Sequence, residues 1–494
     1  MKNQLQAGVA RIDITPPVGI SMAGYYAREG VSTGVERPLT ATALVLANDD
    51  AKIAIVACDL VFIQSPEVDQ MRRDIAGAIG TDAGSVLMNF SHTHCGPTPP
   101  SWGVWQGERQ IAMQKLYMAG LGPLLTGCAA MANHRLAPAR AGFGAGSVKI
   151  GINRRERDSD GKIFLGENPD GPMDPEVGVL RVDRRDGSPL AVLFSYGCHT
   201  VTMGPKNLRL TPDFPGPARE LIEQATGATA LYLQAAAGDI NPITGIGATE
   251  DDTENMTRLG QMLGAEVVKT MAQVRTHQKR GPRGLFSSLS KNSLFPYVAV
   301  EDQPTEIAAV SKTFELPLLP FPSREDARQI LAQRRQNLEK AQKDGAPGGL
   351  LTVLHRFHDW AKKMNAQVEA GVKQMSAPAN FQAIRIGDCA IAAVSGETLV
   401  ELGLAVKKDS PFSRTIFLGY SNGCVSYMPP AHAYPEGGWS PWETYSIPDM
   451  LFQTYQLPMP LEPGCGQRIA DHSLGLLRSL VDEGAKSQAG ASGS

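Results

Sequence analysis

Two histidines separated by one residue, His92 and His94, follow a short apolar run in this 494-residue chain. The run, residues 86–90, predicts a buried strand, and the Gly- and Pro-rich sequence after the histidines predicts a loop. Side chains two positions apart in an extended backbone point to the same side. Imidazole is the commonest metal ligand and the usual general base near neutral pH. The pair therefore indicates a metal or acid–base site, with two hydrogen-bonded loop histidines as the alternative.

Two further ligand-type residues follow predicted strands elsewhere in the chain. His199 comes after the apolar run 190–196, and Glu397 comes after the second strand of a predicted hairpin. Sites collect at the carboxyl ends of strands in α/β proteins. Two neutral imidazoles and one carboxylate form a common catalytic zinc shell that leaves a position open for water. His92, His199 and Glu397 are therefore predicted to hold one Zn²⁺ ion. Iron, manganese or nickel would also accept these ligands, and Glu397 has a second interpretation as a helix cap.

Strand and helix patterns alternate along the chain, which predicts an α/β fold with mixed sheets and flanking helices. A polar, glycine-rich segment at 156–176 is predicted to be a long loop, and 276–305 has no assignable pattern. The predicted helices cover approximately residues 65–79, 107–134, 217–225, 256–274, 324–344, 350–375, 399–409 and 467–484.

No linker or repeat divides the chain, so residues 1–486 are predicted to form a single catalytic domain, with 487–494 as a disordered tail. The helical segment at about 322–375 is predicted to form a lid or a lateral hairpin. Its two histidines, His355 and His358, are interpreted as helix-surface residues because no acidic partner lies near them on that face.

Composition excludes several functional classes. The chain is 42% hydrophobic and 20% charged with a net charge of -3, which is typical of a globular protein without a basic surplus for nucleic acid. No stretch of roughly 18 apolar residues predicts an integral membrane segment. Seven scattered cysteines predict neither a disulfide framework nor a cysteine zinc site. The N-terminus lacks the apolar region of a signal peptide, which favours a cytoplasmic protein. The expected partner is a small-molecule substrate, and a homo-oligomer stays open.

Six motifs that occur in one order carry a family resemblance: AGVARIDITPP, FSHTHCGP, GCHTVTM, AAAGDINP, SGET and GYSNGCVSYMPPAHAYPEGG. Together they resemble the catalytic domain of the neutral (non-lysosomal) ceramidase superfamily, over residues 7–484. The resemblance implies the neutral-ceramidase-like fold and a zinc-dependent amidase, because family members cleave the N-acyl bond of ceramide.

The resemblance also implies a metal shell. His92, His199 and Glu397 match the family's zinc ligands, and Tyr427 in VSYMPP matches the tyrosine that completes the shell. Tyr420 is a close competitor of Tyr427 for that position.

Further residues match catalytic positions of the family. His94 matches a histidine that lies beside the metal and assists catalysis. Arg154, in INRR, falls where the family has a site arginine, with Arg155 one step away. Tyr434 falls near a tyrosine that helps to stabilise the developing oxyanion.

Asn241, in GDINP, stands where ceramidases have their nucleophilic serine, and an amide cannot attack as an alkoxide. Either the chemistry has changed or metal-bound hydroxide attacks directly. Ceramidases also begin with a signal peptide and continue into an immunoglobulin-like domain, and neither is evident here. The expected function is therefore zinc-dependent hydrolysis, by metal-bound water, of an amide (N-acyl) bond in a soluble substrate. Ester, lactone or glycoside cleavage, a lyase or isomerase step, and a non-catalytic binding protein are the alternatives.

Four residues near the motifs stay open between two interpretations. Asp59 and Asp213 are interpreted as partners that orient a ligand histidine or, with more weight, as caps of a helix or turn. Cys95 and Cys198 neighbour the candidate ligands and are interpreted as small core residues rather than thiolate ligands.

Overall fold

Eight helices lie within the part of the chain that the structure, a computed structural model, describes: residues 4–99, 107–161, 163–287, 291–300, 305–436, 455 and 457–491. They are α1 (Ser65–Ile79), α2 (Glu108–His134), α3 (Pro215–Thr226), α4 (Thr253–Gln273), α5 (Arg324–Lys343), α6 (Gly348–Glu369), α7 (Val400–Asp409) and α8 (Cys465–Ala491). Most bounds agree with the sequence patterns to within a few residues, and α8 continues beyond its predicted end near residue 484.

Strands occupy most of the remaining described chain. They are β1 (Gln6–Asp13), β2 (Gly34–Val35), β3 (Thr40–Ala47), β4 (Lys52–Cys58), β5 (Val86–Phe90), β6 (Ala137–Ser147), β7 (Gly151–Arg157), β8 (Ile163–Asn168), β9 (Glu176–Arg184), β10 (Pro189–Tyr196), β11 (Arg209–Leu210), β12 (Thr229–Gln234), β13 (Ile240–Pro242), β14 (Gln278–Arg280), β15 (Gly284–Ser287), β16 (Lys291–Leu294), β17 (Tyr297–Ala299), β18 (Ile307–Pro317), β19 (Ser376–Ile386), β20 (Cys389–Val394), β21 (Glu397–Thr398), β22 (Arg414–Leu418) and β23 (Tyr427–Met428).

Eight of these strands form one mixed sheet in the order β12-β10-β9-β6-β1-β3-β4-β5. Its end pairs, β10 with β12 and β4 with β5, are parallel, whereas the pairs between them are antiparallel. The two end strands meet through one buried side chain, because Asn89 on β5 accepts a hydrogen bond from Gln234 N on β12 at 2.7 Å. The ends of β5 and β10 therefore lie in the same region of the molecule.

A second sheet, in the order β18-β19-β20-β22, packs face to face with the first. Alternating residues of β3 show the layering: Leu44 and Leu46 join Ile384 and Ile391 of the second sheet in one core cluster. Val45, on the opposite face, packs with α1 and α2. Helices α3 and α4 cover the other half of the first sheet, and α6, α7 and α8 cover the second sheet. The predicted α/β class with mixed sheets and flanking helices is confirmed.

Two predictions from sequence need correction. The segment 156–176 is not a simple loop, because β8 forms a hairpin with β7, and its polar residues are those of a half-buried strand pair. The unassigned segment 276–305 contains the short pairs β14–β17 and β15–β16. Strands are predicted from the periodicity of apolar residues, and short strands near the surface have little of it.

The predicted helical segment is a hairpin of α5 and α6. Ser323 accepts a hydrogen bond from Asp326 N at 3.1 Å and caps α5, as its sequence indicates. Trp360 and Met364 of α6 are buried in the core cluster of the second sheet. The backbone of Gly349 lies against the carbonyl of Tyr26, in a loop beside the histidines. Among the described residues, no helix has both the length and the apolar content needed to cross a membrane.

Candidate metal centre

Three chain segments converge where β5, β10 and β20 end. Asn89, three residues before His92, is fully buried and donates to Gln234 O at 3.2 Å and Gly419 O at 3.0 Å. This one amide therefore joins β5 to β12 and to the loop after β22. Buried polar groups are hydrogen-bonded in folded proteins. Asn89 therefore holds β5, β12 and the loop after β22 together next to the site.

His92 has a left-handed backbone, with φ of 62°, so the chain has already left the extended conformation there. The period-two argument for the histidine pair was therefore wrong, although the two rings do converge. Nδ1 of His92 lies 2.9 Å from the carbonyl oxygen of Val61 and donates to it, since a carbonyl only accepts. In the neutral ring this leaves the lone pair on Nε2. A positive φ outside glycine is uncommon and concentrates at functional sites.

His199 repeats this arrangement from a different strand. Its Nδ1 donates to Ala237 O at 2.6 Å, and its backbone nitrogen donates to Ile240 O at 2.9 Å. Nε2 of His199 is buried and has no hydrogen-bond partner. A metal-binding histidine almost always donates its other N–H to an outer partner in this way. The unpaired lone pair on His199 is therefore suited to a metal ion.

The third ligand-type side chain, Glu397, lies between these two rings. Its Oε2 is 3.4 Å from Nε2 of His92 and 3.4 Å from Nε2 of His199. A tetrahedral metal with ligand bonds of about 2.1 Å separates its ligand atoms by about 3.4 Å. The Glu397 side chain is only 1% exposed, and an isolated carboxylate is costly to bury. The three side chains are therefore spaced so that they could hold a metal ion.

Burial lowers the pKa of each imidazole at the site. The pKa of His92 falls to about 4, with burial as the main cause and Glu397 opposing it. Burial also holds the pKa of His199 well below the usual range, and the nearby Arg154 acts in the same direction. Both rings are therefore neutral at physiological pH, as metal ligation requires.

His94 differs from these two histidines in its surroundings. Its Nε2 lies 3.3 Å from Nε2 of His92, so His92, His94 and His199 also form a compact three-histidine group. Its Nδ1, however, has no hydrogen-bond partner and lies against Gly24. Distance alone allows either His94 or Glu397 as third ligand. Oε2 of Glu397 is equally close to the two imidazoles whose Nδ1 atoms donate to carbonyls, which favours Glu397 as the third ligand.

Tyrosine side chains surround the carboxylate of Glu397. Tyr420 donates from its hydroxyl to Oε2 at 3.2 Å, and the Tyr455 hydroxyl donates to Oε1. Glu397 pairs in register with Tyr427 in the short parallel pair β21–β23. Tyr420 and Tyr427, the two candidates from sequence, both hydrogen-bond to the carboxylate of Glu397. Tyr455 was missed because no motif surrounds it.

Arg154 lies beside the metal-ligand candidates and connects three groups. It donates to Gly238 O at 2.6 Å, to the Tyr427 hydroxyl at 3.2 Å and to Asn241 Oδ1 at 3.3 Å. Arg155, the alternative register, instead pairs with Glu436 at 2.6 Å. The structure therefore brings Arg154, Tyr427 and Asn241 together, and their predicted roles stay predictions.

Other sequence candidates have structural partners away from the ligands. The Tyr434 hydroxyl donates to Leu461 O at 2.8 Å, so it is engaged with the main chain rather than with any of the histidines. Asp59 forms a two-pronged ion pair with Arg219, at 2.8 and 2.7 Å. It therefore orients no histidine, and helix α3 supplies its partner.

Asp213, Cys95 and Cys198 have structural rather than chemical surroundings. Asp213 accepts from the backbone nitrogens of Met203 at 3.0 Å and Phe214 at 2.6 Å, at the start of α3. Cys95 and Cys198 are buried in one core cluster. Burial raises the pKa of the Cys95 thiol to about 11, with the Arg28 guanidinium opposing the rise, which does not favour thiolate chemistry.

Sequence comparison shows the family. The model of the neutral/alkaline non-lysosomal ceramidase N-terminal family matches residues 5–262, and the chain belongs to this family of hydrolases. The neutral ceramidase of Pseudomonas aeruginosa is 23% identical over 477 residues, which cover 88% of this chain and 69% of that protein. Neutral ceramidase A of Dictyostelium discoideum is 25% identical over 262 residues, 48% of this chain and 36% of its own length.

Solved structures show the same fold. The crystal structure of the Pseudomonas aeruginosa neutral ceramidase superposes with a TM-score of 0.64 at 17% identity, covering 98% of this chain and 75% of that one. A structure described as ceramidase complexed with C2 gives the same TM-score at 16% identity, covering 98% and 76%. The neutral-ceramidase-like fold expected from the motifs is confirmed.

Proposed function

We propose that this protein is a zinc-dependent hydrolase that cleaves the C–N bond of an amide in a small N-acyl compound. Membership of the ceramidase family supports amide hydrolysis as the reaction class. One observation carries the proposal. Oε2 of Glu397 lies 3.4 Å from Nε2 of both His92 and His199, which is about the distance between two ligand atoms of one tetrahedral zinc ion. When bound, zinc polarises a carbonyl and lowers the pKa of a coordinated water.

His94 is the proton carrier in this proposal. Its Nε2 faces the ligand group, at 3.3 Å from Nε2 of His92, and no carbonyl or carboxylate fixes its tautomer. It also keeps partial exposure, whereas His92 and His199 are buried. An imidazole whose tautomer is not fixed can take a proton from attacking water and give it to the leaving amine nitrogen.

Arg154 and Asn241 bind the oxygen of the substrate carbonyl. A guanidinium only donates hydrogen bonds, so the Asn241 amide must turn its oxygen toward Arg154. Its NH₂ group then remains as a donor beside the site. Asn241 cannot form an acyl-enzyme, so its role is to orient and stabilise the developing oxyanion, an effect worth about 3–4 kcal/mol per donor in other enzymes.

Product analysis on a substrate panel tests this function. Purified zinc-loaded protein is incubated with short N-acyl amines, N-acyl amino acids and a short-chain ceramide, and the released amine and acid are quantified. We expect amide cleavage that His94→Gln reduces at least about 100-fold, since proton transfer contributes this much, with zinc content retained. Tyr117→Phe, whose hydroxyl donates to Ile14 O at 2.7 Å, is the matched control. Full activity in His94→Gln contradicts the assignment.

A second candidate reaction uses the same metal centre on an ester, lactone or glycoside. The asparagine at position 241 favours it, since the acyl-transfer position of the family has changed. Release of an alcohol or sugar from the corresponding panel, with no amine released from any amide, selects this reaction instead.

A further inference from the structure

The two oxygens of the Glu397 carboxylate are held by different donors. Oε1 receives the hydroxyl of Tyr455, and Oε2 receives the hydroxyl of Tyr420 at 3.2 Å. Oε2 is the oxygen nearest the imidazoles, with both Nε2 atoms at 3.4 Å. The carboxylate therefore presents one oxygen to the candidate metal position and has the other occupied.

Both tyrosines are positioned by the core rather than by solvent. Tyr420 is fully buried, and its ring centroid lies 4.5 Å from that of His92. Tyr455 is 6% exposed and packs on Phe62 at 5.2 Å between ring centroids. Phe62 follows Val61, whose carbonyl orients His92. The groups that orient Glu397 and His92 thus share one packed cluster.

A carboxylate with both oxygens free can bind a metal through one oxygen or through both. Binding through both adds a ligand and occupies a position that a catalytic zinc site keeps open. A phenol hydrogen-bonded to Oε1 prevents this without adding charge, because a tyrosine hydroxyl is a neutral donor at physiological pH.

We propose that Tyr455, assisted by Tyr420, is a positioning residue that holds Glu397 as a one-oxygen metal ligand and so keeps a coordination position open for substrate or water. This inference rests on the metal site of the proposed function. It is independent of which bond the protein cleaves.

Metal affinity and the spectrum of the cobalt form test the inference. Wild type, Tyr455→Phe and Tyr420→Phe are loaded with Zn²⁺ or Co²⁺, and affinity is measured by competition with a chelator. Loss of an outer hydrogen bond to a ligand weakens metal binding by about 10–100-fold, which we expect for Tyr455→Phe. Its Co²⁺ form should also lose visible absorption, because the carboxylate becomes a two-oxygen ligand and coordination number rises.

Tyr117→Phe removes one buried hydroxyl and one hydrogen bond elsewhere, and it should bind Zn²⁺ and Co²⁺ as wild type does. Circular dichroism checks the folding of each variant, and Tyr420→Phe carries the affinity test if Tyr455→Phe does not fold. Equal affinity and an unchanged cobalt spectrum in the folded tyrosine variants overturn the inference. Tight metal binding by wild type without amide cleavage overturns the proposed reaction alone, and absence of metal binding overturns both.

Discussion

His92 and His94 have the same side chain, yet their neighbours assign them different chemistry. A carbonyl 2.9 Å from Nδ1 fixes the tautomer of His92 and leaves its Nε2 as a ligand atom. No such partner fixes His94, whose Nδ1 faces the backbone of Gly24. In the proposed function, this one carbonyl group accounts for His92 as metal ligand and His94 as proton carrier.

Gly24 permits the position of the His94 ring. A Cβ at Gly24 would lie 2.3 Å from Cγ and 2.4 Å from Nδ1 of His94. We expect Gly24→Ala to displace this ring and to reduce kcat by about 100-fold while zinc content stays at the wild-type value. Steady-state kinetics and elemental analysis measure the two effects.

Gly19→Ala is the matched control for that substitution. Both glycines have φ of 96°, but a Cβ at Gly19 meets nothing within 4 Å. Both variants should lose about 1 kcal/mol of stability through the left-handed backbone. Comparable kcat values in the two variants would show that Gly24 does not control His94.

The buried carboxyl of Asp213 is expected to make the free energy of unfolding depend on pH. Burial raises the pKa of its carboxyl to about 6, above the unfolded value of about 4. A raised folded pKa favours the protonated form, so this contribution to the free energy of unfolding is complete below pH 4 and is lost as pH rises through 6. Asparagine mimics the protonated acid and tolerates the φ of 63°.

The measurement is the free energy of unfolding of wild type and Asp213→Asn, by urea denaturation between pH 4 and pH 7. Relative to Asp213→Asn, wild type should lose up to about 3 kcal/mol across this interval. Parallel curves for the two proteins mean that the carboxyl does not titrate in this window.

At the scale of elements, the site depends on the contact between the ends of β5 and β12 and the loop after β22. Asn89 makes this contact by donating to Gln234 O, Gly419 O and the Ser421 hydroxyl, and by accepting from Gln234 N. Each of these segments leads toward a candidate ligand or one of its hydrogen-bond partners. A substitution that loosens the contact is therefore expected to displace residues of the candidate metal centre.

Asn89→Ala tests that contact. The change leaves buried backbone groups without partners, each costing about 1–3 kcal/mol, so the free energy of unfolding should fall by at least about 2 kcal/mol and zinc affinity should weaken. Denaturant unfolding and chelator competition report the two quantities. Asn337→Ala removes one solvent-exposed hydrogen bond on α5, from Gln333 at 2.9 Å, and should change stability by less than about 0.5 kcal/mol. Similar values for both variants contradict a structural role for Asn89.

For the whole molecule, a metal ion at this centre would link residues 92, 199 and 397, which belong to three distant parts of the chain. A ligand that binds only the folded state stabilises it by an amount that grows with the logarithm of the ratio of free ligand concentration to Kd. At a free zinc concentration 100 times Kd this amounts to about 2.7 kcal/mol. A bound metal would therefore act as a cross-link between the first sheet and the second.

Thermal unfolding with and without chelator tests the cross-link. Removal of zinc should lower the Tm of wild type by several degrees, and added zinc should restore it. His199→Ala should start at the lower Tm and respond to neither treatment. An identical Tm for zinc-loaded and chelator-treated wild type would count against a metal that bridges the sheets.

The sequence by itself determined the elements and the ligand-type residues at their ends. Apolar runs identify the buried strands β3, β4 and β5. Amphipathic spacing identifies α1 and α6, because local periodicity reports which face of a helix is buried. The ordered motifs also determined the family, which the comparisons confirm. His92, His199 and Glu397 were named because residue type and position at a strand end are local properties.

Only the tertiary structure decided what these residues contact. Tyr455 reaches Glu397 across 58 positions, and Asn89 reaches Gln234 across 145. Tyr434 turned to a backbone carbonyl, and Asp59 paired with Arg219 rather than with a histidine. Such contacts depend on how sheets and helices pack over long sequence separations, and local sequence patterns carry no record of that packing. The sequence thus indicates which residues can do chemistry, whereas the hydrogen-bond and ion-pair partners that orient them are known only from the tertiary structure.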